Sequence, residues 1–323
     1  MDFIRQHMLL RLLPAVLILF AVSGCSCFKQ GAYTMAMEIE RCGTGLSPAT
    51  LTVDGMEIAI FEGNGRGEKP PLVLLHGFGA SKEVWLRFSR HLKDDFHIIA
   101  IDLPGHGASS KPMDREYSLC NQLAWLRGAL TEMGLERPHM AGNSMGGLIV
   151  ALYADRYPED VASITLFNPG GISAYESEFM QYLARGENPL LVENTDDFMQ
   201  VMDFTMERKP FLVWPITSVL AEKAILNRPI HQKIFEDSRL KECILHEKEG
   251  FRETLGAIRV PALIIWGRHD RLVHVHNALV FNELIPGSRM VIIEEAGHAP
   301  MLEVPQISAD RLREFIIKAP SRI

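Results

Sequence analysis

Residues 142–146 read Gly-Asn-Ser-Met-Gly, a G-x-S-x-G pattern with Ser144 at its centre. A short apolar stretch at 138–141 predicts a strand before it, and residues 147–153 predict a helix after it. A serine on so tight a strand-to-helix turn has an exposed hydroxyl and a strained backbone, and the neighbouring glycines let the turn close. Ser144 is therefore a candidate nucleophile.

A serine hydroxyl is a weak nucleophile, so it needs a histidine base, and that base needs an acid to orient it. The apolar strand predicted at 262–266 is followed by Asp270, and the strand predicted at 289–293 is followed by a loop that contains His298. The order nucleophile, acid, histidine along the chain predicts a catalytic triad of Ser144, Asp270 and His298.

Simpler interpretations of the acid and the histidine stay open at this point. Asp270 could cap the helix predicted to start near Val275, and His298 could be an ordinary loop histidine. Asp102 is a rival acid, because it follows the strand predicted at 98–101. It precedes the serine in the chain, however, so we predict a structural role for it.

Acyl transfer also needs N–H donors for the oxyanion that develops on the attacked carbonyl. The strand predicted at 73–75 runs into the glycine-rich loop 76–79, His-Gly-Phe-Gly, from which a backbone N–H can point at the substrate. The second predicted donor is the amide of Met145, directly after the nucleophile and at a helix N-terminus. The alternative for residues 76–79 is a tight turn without a catalytic role.

From residue 53 to residue 315 the chain resembles the α/β-hydrolases, on the strength of the motifs at 75–79, 102–109 and 142–147. Within that family it is most similar to bacterial lipases and esterases with a membrane-anchored N-terminus and to monoacylglycerol lipases. The resemblance implies a serine ester hydrolase in which Phe78 and Met145 supply the oxyanion hole.

The rest of the chain predicts an α/β fold with a mostly parallel central sheet and helices on both faces, because nearly continuous apolar strands alternate with helical stretches. A hairpin with its turn at Asp54-Gly55 opens this pattern. We predict a core at 49–170 and 255–323 and an inserted helical cap at 171–254. Methionines and aromatic residues at 198–215 would suit an acyl chain or form the core of the cap itself.

The N-terminus predicts export and membrane attachment. Arg5 and Arg11 precede the apolar run 12–22, which fits the apolar region of a secretory signal. Residues 22–25, Val-Ser-Gly-Cys, resemble a bacterial lipobox, which predicts a signal or anchor segment at 1–24, lipidation of Cys25, a periplasm-facing protein and a tether at 25–48. An uncleaved anchor helix and an ordinary signal peptide are the alternatives.

The composition limits the partners. The chain has 323 residues and a net charge of −7, so it offers no basic field for nucleic acid, and it lacks glycine patterns for nucleotide binding. No cofactor is predicted. Asp270, His274 and His276 could be imagined as metal ligands, but without a second cluster we predict no metal site. Neither a disulfide pairing nor an oligomeric state can be deduced.

These features predict hydrolysis of carboxylic esters, especially lipid esters such as monoacylglycerols. One alternative is hydrolysis of carbon–carbon bonds in products of aromatic ring cleavage, since those hydrolases share the Gly-Asn-Ser-Met-Gly-Gly elbow. They commonly place tryptophan after the catalytic histidine, however, whereas Ala299 follows His298 here. A second alternative is a catalytically idle binding protein on the same fold.

Overall fold

The computed structural model describes residues 26–211, 214–238 and 250–318. Within them eight strands form a single sheet: β1 (Ser47–Val53), β2 (Met56–Glu62), β3 (Pro71–Leu75), β4 (His97–Ile101), β5 (His139–Asn143), β6 (Ser163–Phe167), β7 (Ala262–Gly267) and β8 (Arg289–Ile293). Their order across the sheet is β1-β2-β4-β3-β5-β6-β7-β8. Strand β2 pairs antiparallel with β1 and β4, and all other neighbours are parallel, which confirms the predicted mostly parallel sheet.

Helices cover the sheet on both faces. Those in the described residues are α1 (Ser26–Cys42), α2 (Leu86–Arg90), α3 (Leu119–Glu132), α4 (Met145–Arg156), α5 (Glu178–Ala184), α6 (Thr195–Thr205), α7 (Ile216–Leu226), α8 (Arg228–Asp237), α9 (Gly250–Ala257), α10 (Asn277–Leu284), α11 (Pro300–Glu303) and α12 (Pro305–Lys318). None of these helices is long and apolar enough to cross a membrane.

The central strands are buried on both sides because their side chains alternate between two apolar layers. In β3, Val73 and Leu75 belong to one hydrophobic cluster, whereas Leu72 and Leu74 belong to the other. All four are fully buried. A strand that is apolar at every position is stable only when both faces of its sheet are covered, as they are here.

The predicted hairpin at the start of the sheet is confirmed. Val53 of β1 pairs with Met56 of β2, which leaves Asp54 and Gly55 as a two-residue turn. Both turn residues have positive φ, 49° and 73°. An aspartate followed by glycine suits such a turn, because both tolerate the left-handed region.

Helices α5 to α9 lie between β6 and β7, where the sequence predicts the cap. Helix α9 packs against α4 and α10, which flank the sheet. The predicted boundary between residues 254 and 255 falls inside α9, so this helix crosses from the predicted cap into the predicted core.

The predicted tether at 25–48 includes helix α1 and the first residues of β1. Helix α1 packs against α7 and α2, so it lies on both the cap region and the core. The predicted signal or anchor segment at 1–24 and the predicted lipidation site Cys25 lie outside the described residues.

Candidate active site

Ser144 occupies the sharp turn between β5 and α4. Its φ of 54° and ψ of −116° are unusual for a residue with a side chain. Such a conformation costs about 1 to 3 kcal/mol and persists only where the surroundings enforce it. The amide of Ser144 donates to the carbonyl of Phe167 at 3.0 Å, and its carbonyl accepts from Leu148 at 3.0 Å and Gly170 at 3.1 Å. These hydrogen bonds hold the strained turn in place.

The two glycines of the motif are required by close backbone approach. A Cβ atom on Gly142 would lie 2.3 Å from the carbonyl oxygen of Gly146. A Cβ atom on Gly146 would lie 2.5 Å from the carbonyl oxygens of Leu75 and His76. Only glycine therefore lets α4 start directly behind β5 and against the loop after β3.

Asp270 and His298 meet as the sequence predicts. Asp270 lies after β7 and His298 in the loop after β8, and Nδ1 of His298 is 2.9 Å from Oδ2 of Asp270. The same carboxylate oxygen accepts from Nδ2 of Asn168 at 2.6 Å and Nε1 of Trp266 at 3.1 Å. Because Asn168 and Trp266 both donate to it, Oδ2 of Asp270 acts as an acceptor. The proton of the neutral imidazole of His298 therefore lies on Nδ1, facing this oxygen.

The other carboxylate oxygen of Asp270 accepts from the amides of Leu272 at 2.9 Å and Val273 at 3.0 Å. Asp270 therefore also shapes its own turn, which is the simpler role that the sequence leaves open. Both roles are carried by one buried side chain.

Ser144 and His298 are not joined by a hydrogen bond in this structure. Nε2 of His298 is buried and makes no hydrogen bond with any described residue. The two residues are linked indirectly, since Nδ2 of Asn143, next to Ser144, donates to the carbonyl of His298 at 2.9 Å. Hydrogen bonds between nucleophile and base are often long in free enzymes and shorten when the substrate binds.

Both residues predicted to donate to the oxyanion lie near Ser144, Met145 in the chain and Phe78 through its neighbour Gly77. Met145 is the first residue of α4, so its amide lies at the helix N-terminus. Phe78 follows Gly77, on which a Cβ atom would lie 3.1 Å from Cβ of Ser144. The loop after β3 therefore passes directly beside the serine.

Asp102 is engaged in structure, as predicted. It is fully buried, and its carboxylate accepts from Nζ of Lys82 at 2.5 Å and from the amides of Lys82 at 2.7 Å and Ala108 at 2.8 Å. A Cβ atom on Gly107 would lie 2.2 Å from this carboxylate, which explains a glycine there. Asp102 thus organises the loop after β4.

The sequence did not predict a role for Glu303, yet its side chain binds the backbone on both sides of His298. Its carboxylate accepts from the amides of Gly297 and Ala299, which flank His298, at 2.9 to 3.0 Å. It also accepts from the amides of Glu207 at 2.8 Å and Arg208 at 2.9 Å, after α6. One side chain therefore connects the loop of the histidine to the cap region.

Replacing Glu303 with glutamine should lower kcat by about 10-fold to 100-fold, since a small displacement of a catalytic group can cost that much. The amide nitrogen of glutamine cannot accept a hydrogen bond, so some of these N–H groups lose their partner. We expect kcat to fall while KM changes little. If Glu303 only stabilised the fold, the variant would unfold at a lower temperature, but kcat would not fall selectively. Glu294→Gln, at an exposed carboxylate paired with Arg268, is the control. An unchanged kcat would refute the positioning role.

Three buried histidines lie beside Phe78. The ring centroids of His76 and His106 are 5.1 Å apart, those of His106 and His231 are 5.6 Å apart, and His231 lies 5.6 Å from Phe78. Nε2 of His76 accepts from the amide of Leu103 at 3.0 Å, which fixes its tautomer. Burial lowers the pKa of His76, and it lowers the pKa of His106 well below the usual value.

Stability should therefore fall as the pH is lowered from about 6.5 to about 4. Burial lowers the pKa of His231 and of His139 to about 4. In that window the unfolded chain binds protons that the folded chain excludes, so His231 and His139 each lower the free energy of unfolding by up to about 3 kcal/mol. Thermal unfolding at a series of pH values measures the loss. The variant His231→Phe should lose less stability over this pH range than the wild type does. Equal stability of the wild type at about pH 6.5 and about pH 4 would contradict the lowered pKa values of the buried histidines.

A cavity of about 800 Å³ lies among α5, α6 and α8. Phe235 lines it and also packs against Phe78, with ring centroids 6.0 Å apart, so the cavity adjoins the loop beside Ser144. None of the described apolar residues at 198–215 lines this cavity. Phe211 and Trp214 are instead 85% and 51% exposed.

Over the described ranges, no group of three or more histidine, cysteine, aspartate or glutamate side chains is placed to hold a metal ion.

Comparison with known proteins places this site in a family. A family model described as the alpha/beta hydrolase fold matches residues 70–305. Lipase 1 of Psychrobacter immobilis is 31% identical over 95% of this chain and 97% of its own length. Monoacylglycerol lipase abhd6-B of Xenopus laevis is 28% identical over 77% of this chain and 76% of its own length. The crystal structure of a membrane phospholipase A, described as a bacterial virulence factor, superposes with a TM-score of 0.86 at 36% identity, covering 96% of this chain and 99% of that one. The chain belongs to the α/β-hydrolase fold family.

Proposed function

We propose that this protein hydrolyses lipid esters, such as monoacylglycerols, through an acyl-enzyme formed on Ser144. The observation that carries the proposal is the hydrogen bond between Asp270 and His298, which leaves the buried Nε2 of His298 as an acceptor without a partner among the described residues. A base in this state, near a serine held in a strained turn, is arranged for nucleophilic catalysis.

In the proposed reaction, Nε2 of His298 takes the proton of Ser144 as the hydroxyl oxygen attacks the ester carbonyl. Asp270 stabilises the imidazolium that results, because its Oδ2 already accepts from Nδ1. The amides of Phe78 and Met145 donate to the oxyanion. His298 then protonates the departing alcohol and later activates the water that releases the fatty acid.

The chain is a carboxylic ester hydrolase, as the lipases among its relatives indicate. The names of these relatives also support a lipid ester as the substrate, and the similarity to Lipase 1 covers 97% of the length of that protein. Monoacylglycerols are the narrower proposal, since the relative with that name matches over 76% of its length.

Export and membrane attachment are part of the proposal. The apolar run 12–22 and the lipobox-like residues ending at Cys25 support them. Cys120 is disulfide-bonded, which is typical of proteins in oxidising compartments such as the periplasm. The similar protein of known structure that is described as a membrane phospholipase A is consistent with this location.

A substrate panel tests the proposed function. Purified protein would be assayed with p-nitrophenyl esters and monoacylglycerols of varied acyl length, and with a dienoate product of aromatic ring cleavage. We expect turnover of the esters, including monoacylglycerols, and none of the dienoate. Cleavage of the dienoate alone would replace the proposal with a carbon–carbon hydrolase, and turnover of no substrate would favour a binding protein.

A further inference from the structure

Helix α1 exposes apolar side chains along one side. Phe28, Met35 and Ile39 are 44%, 63% and 66% exposed. Because an α-helix turns once in about 3.6 residues, these three positions fall on one face. An amphipathic helix on a globular protein normally turns its apolar face inward, so the orientation of α1 is unusual.

A different side of α1 is held against the protein by charged groups. Nζ of Lys29 is 2.9 Å from the carboxylate of Glu222 on α7, and Glu40 is 2.7 Å from Arg87 on α2. Tyr33, between them in the sequence, is the buried residue of this helix. These contacts fix the rotation of α1 about its axis, so Phe28, Met35 and Ile39 stay on the outside.

The exposed face continues onto the cap region. The ring of Phe28 stacks on Trp214, with centroids 6.2 Å apart. Trp214 itself is 51% exposed. We call Phe28, Met35, Ile39 and Trp214 together the apolar rim.

We propose that the apolar rim rests on the lipid surface of a membrane. The chain before α1 carries the apolar run 12–22, and Cys25 immediately precedes the first residue of the helix. Only residues 23–25 lie between that run and Ser26, so attachment of the segment to a bilayer would bring the first turn of α1, with Phe28, close to the lipid surface. Tryptophan and phenylalanine suit this boundary, where an apolar body meets a polar edge.

This inference goes beyond the proposed reaction, because it assigns the surface that orients the enzyme on the bilayer. Both α1 and the cap region would contact the membrane through the rim. Ser144 would then be held at a fixed distance from the lipid surface that supplies the substrate.

Trp214 provides a direct test in the full-length protein. The other tryptophans, Trp85, Trp125 and Trp266, are at most 4% exposed. Quenching of tryptophan fluorescence by brominated acyl chains therefore reports on Trp214. The wild-type protein, reconstituted into phosphatidylcholine vesicles with brominated chains, should be quenched, and Trp214→Phe should lose that quenching.

The double variant Met35→Glu with Ile39→Glu should lose most of the quenching, because charged side chains oppose contact with lipid. It should also hydrolyse esters carried in vesicles about 10-fold more slowly while retaining the wild-type rate on a water-soluble short-chain ester. Leu279→Glu is the matched control, since Leu279 is 52% exposed on α10, outside the rim. It should behave as the wild type does.

Absence of quenching in the wild-type protein would overturn the proposal, as would equal quenching in the wild type and the double variant. A rim covered by a second copy of the chain would also overturn it. In that case Trp214 would not respond to brominated lipid, and the double variant would convert a dimer to a monomer in sedimentation measurements. Quenching needs no turnover, so this test stays readable even if the proposed function is wrong.

Discussion

Replacement of Ser144 by alanine is expected to lower kcat for ester hydrolysis by about a millionfold, which is the loss typical for removal of a serine nucleophile. In the proposed mechanism the side-chain oxygen of Ser144 forms the acyl-enzyme, so an alanine at this position leaves no atom that can do so. The strained turn should persist, because Ser144 makes its hydrogen bonds with Phe167, Leu148 and Gly170 through backbone atoms, which the substitution leaves in place.

The control for this change is Ser47→Ala, at an exposed serine in β1. Its kcat should equal that of the wild type. Thermal unfolding of Ser144→Ala, measured beside the rate, would show that the protein is folded. A Ser144→Ala protein that releases fatty acid at more than about a hundredth of the wild-type rate would be incompatible with the proposed acyl-enzyme.

Replacement of Asp270 by asparagine is expected to lower kcat by about 10,000-fold, the loss seen when the acid of a triad becomes an amide. Oδ2 of Asp270 accepts from Asn168 and Trp266 as well as facing His298. An amide group would place N–H donors against these donors or against Nδ1 of the imidazole. His298 would then carry its proton on Nε2, where the base is needed.

Steady-state kinetics and the rate of labelling by a fluorophosphonate measure this effect. Asp310→Asn is the control, because Asp310 is a carboxylate on α12 that pairs with Arg313. Its kinetics should not change. A loss of less than about 10-fold in Asp270→Asn would show that His298 does not depend on Asp270.

Much of the site could be predicted because its residues follow strands. In a parallel sheet the carboxyl ends of the strands share one edge, so Ser144, Asp270 and His298 could be placed together from three sequence segments. The predicted meeting of Asp270 and His298 is confirmed by their hydrogen bond. The role of Ser144 as a nucleophile and of Phe78 and Met145 as donors stays a prediction.

The supporting residues could not be predicted, because their partners are distant in the sequence. Glu303 binds amides that are 95 and 96 residues away, and Asn168 reaches Asp270 across 102 residues. Such contacts depend on how loops meet after the sheet has formed. Asn143, inside the serine motif, and Asn168, directly after β6, were the available signals, since buried amides at strand ends need partners.

Helix α1 shows a different limit. Phe28, Met35 and Ile39 face outward, whereas Lys29 and Glu40 contact the protein, which departs from the pattern that identifies a packed amphipathic helix. Its contacts with Glu222 and Arg87 depend on two separate parts of the fold. Composition alone therefore suggested a tether where the structure has a docked helix.

The central claim is that His298 activates Ser144 as a nucleophile, and covalent labelling tests it most directly. The full-length protein would be treated with a fluorophosphonate, and the modified residue located by peptide mass spectrometry. We predict one adduct per chain, on Ser144, that forms at a much lower rate in His298→Ala. Absence of an adduct, an adduct on another serine, or labelling of Ser144 at the same rate without His298 would contradict the claim.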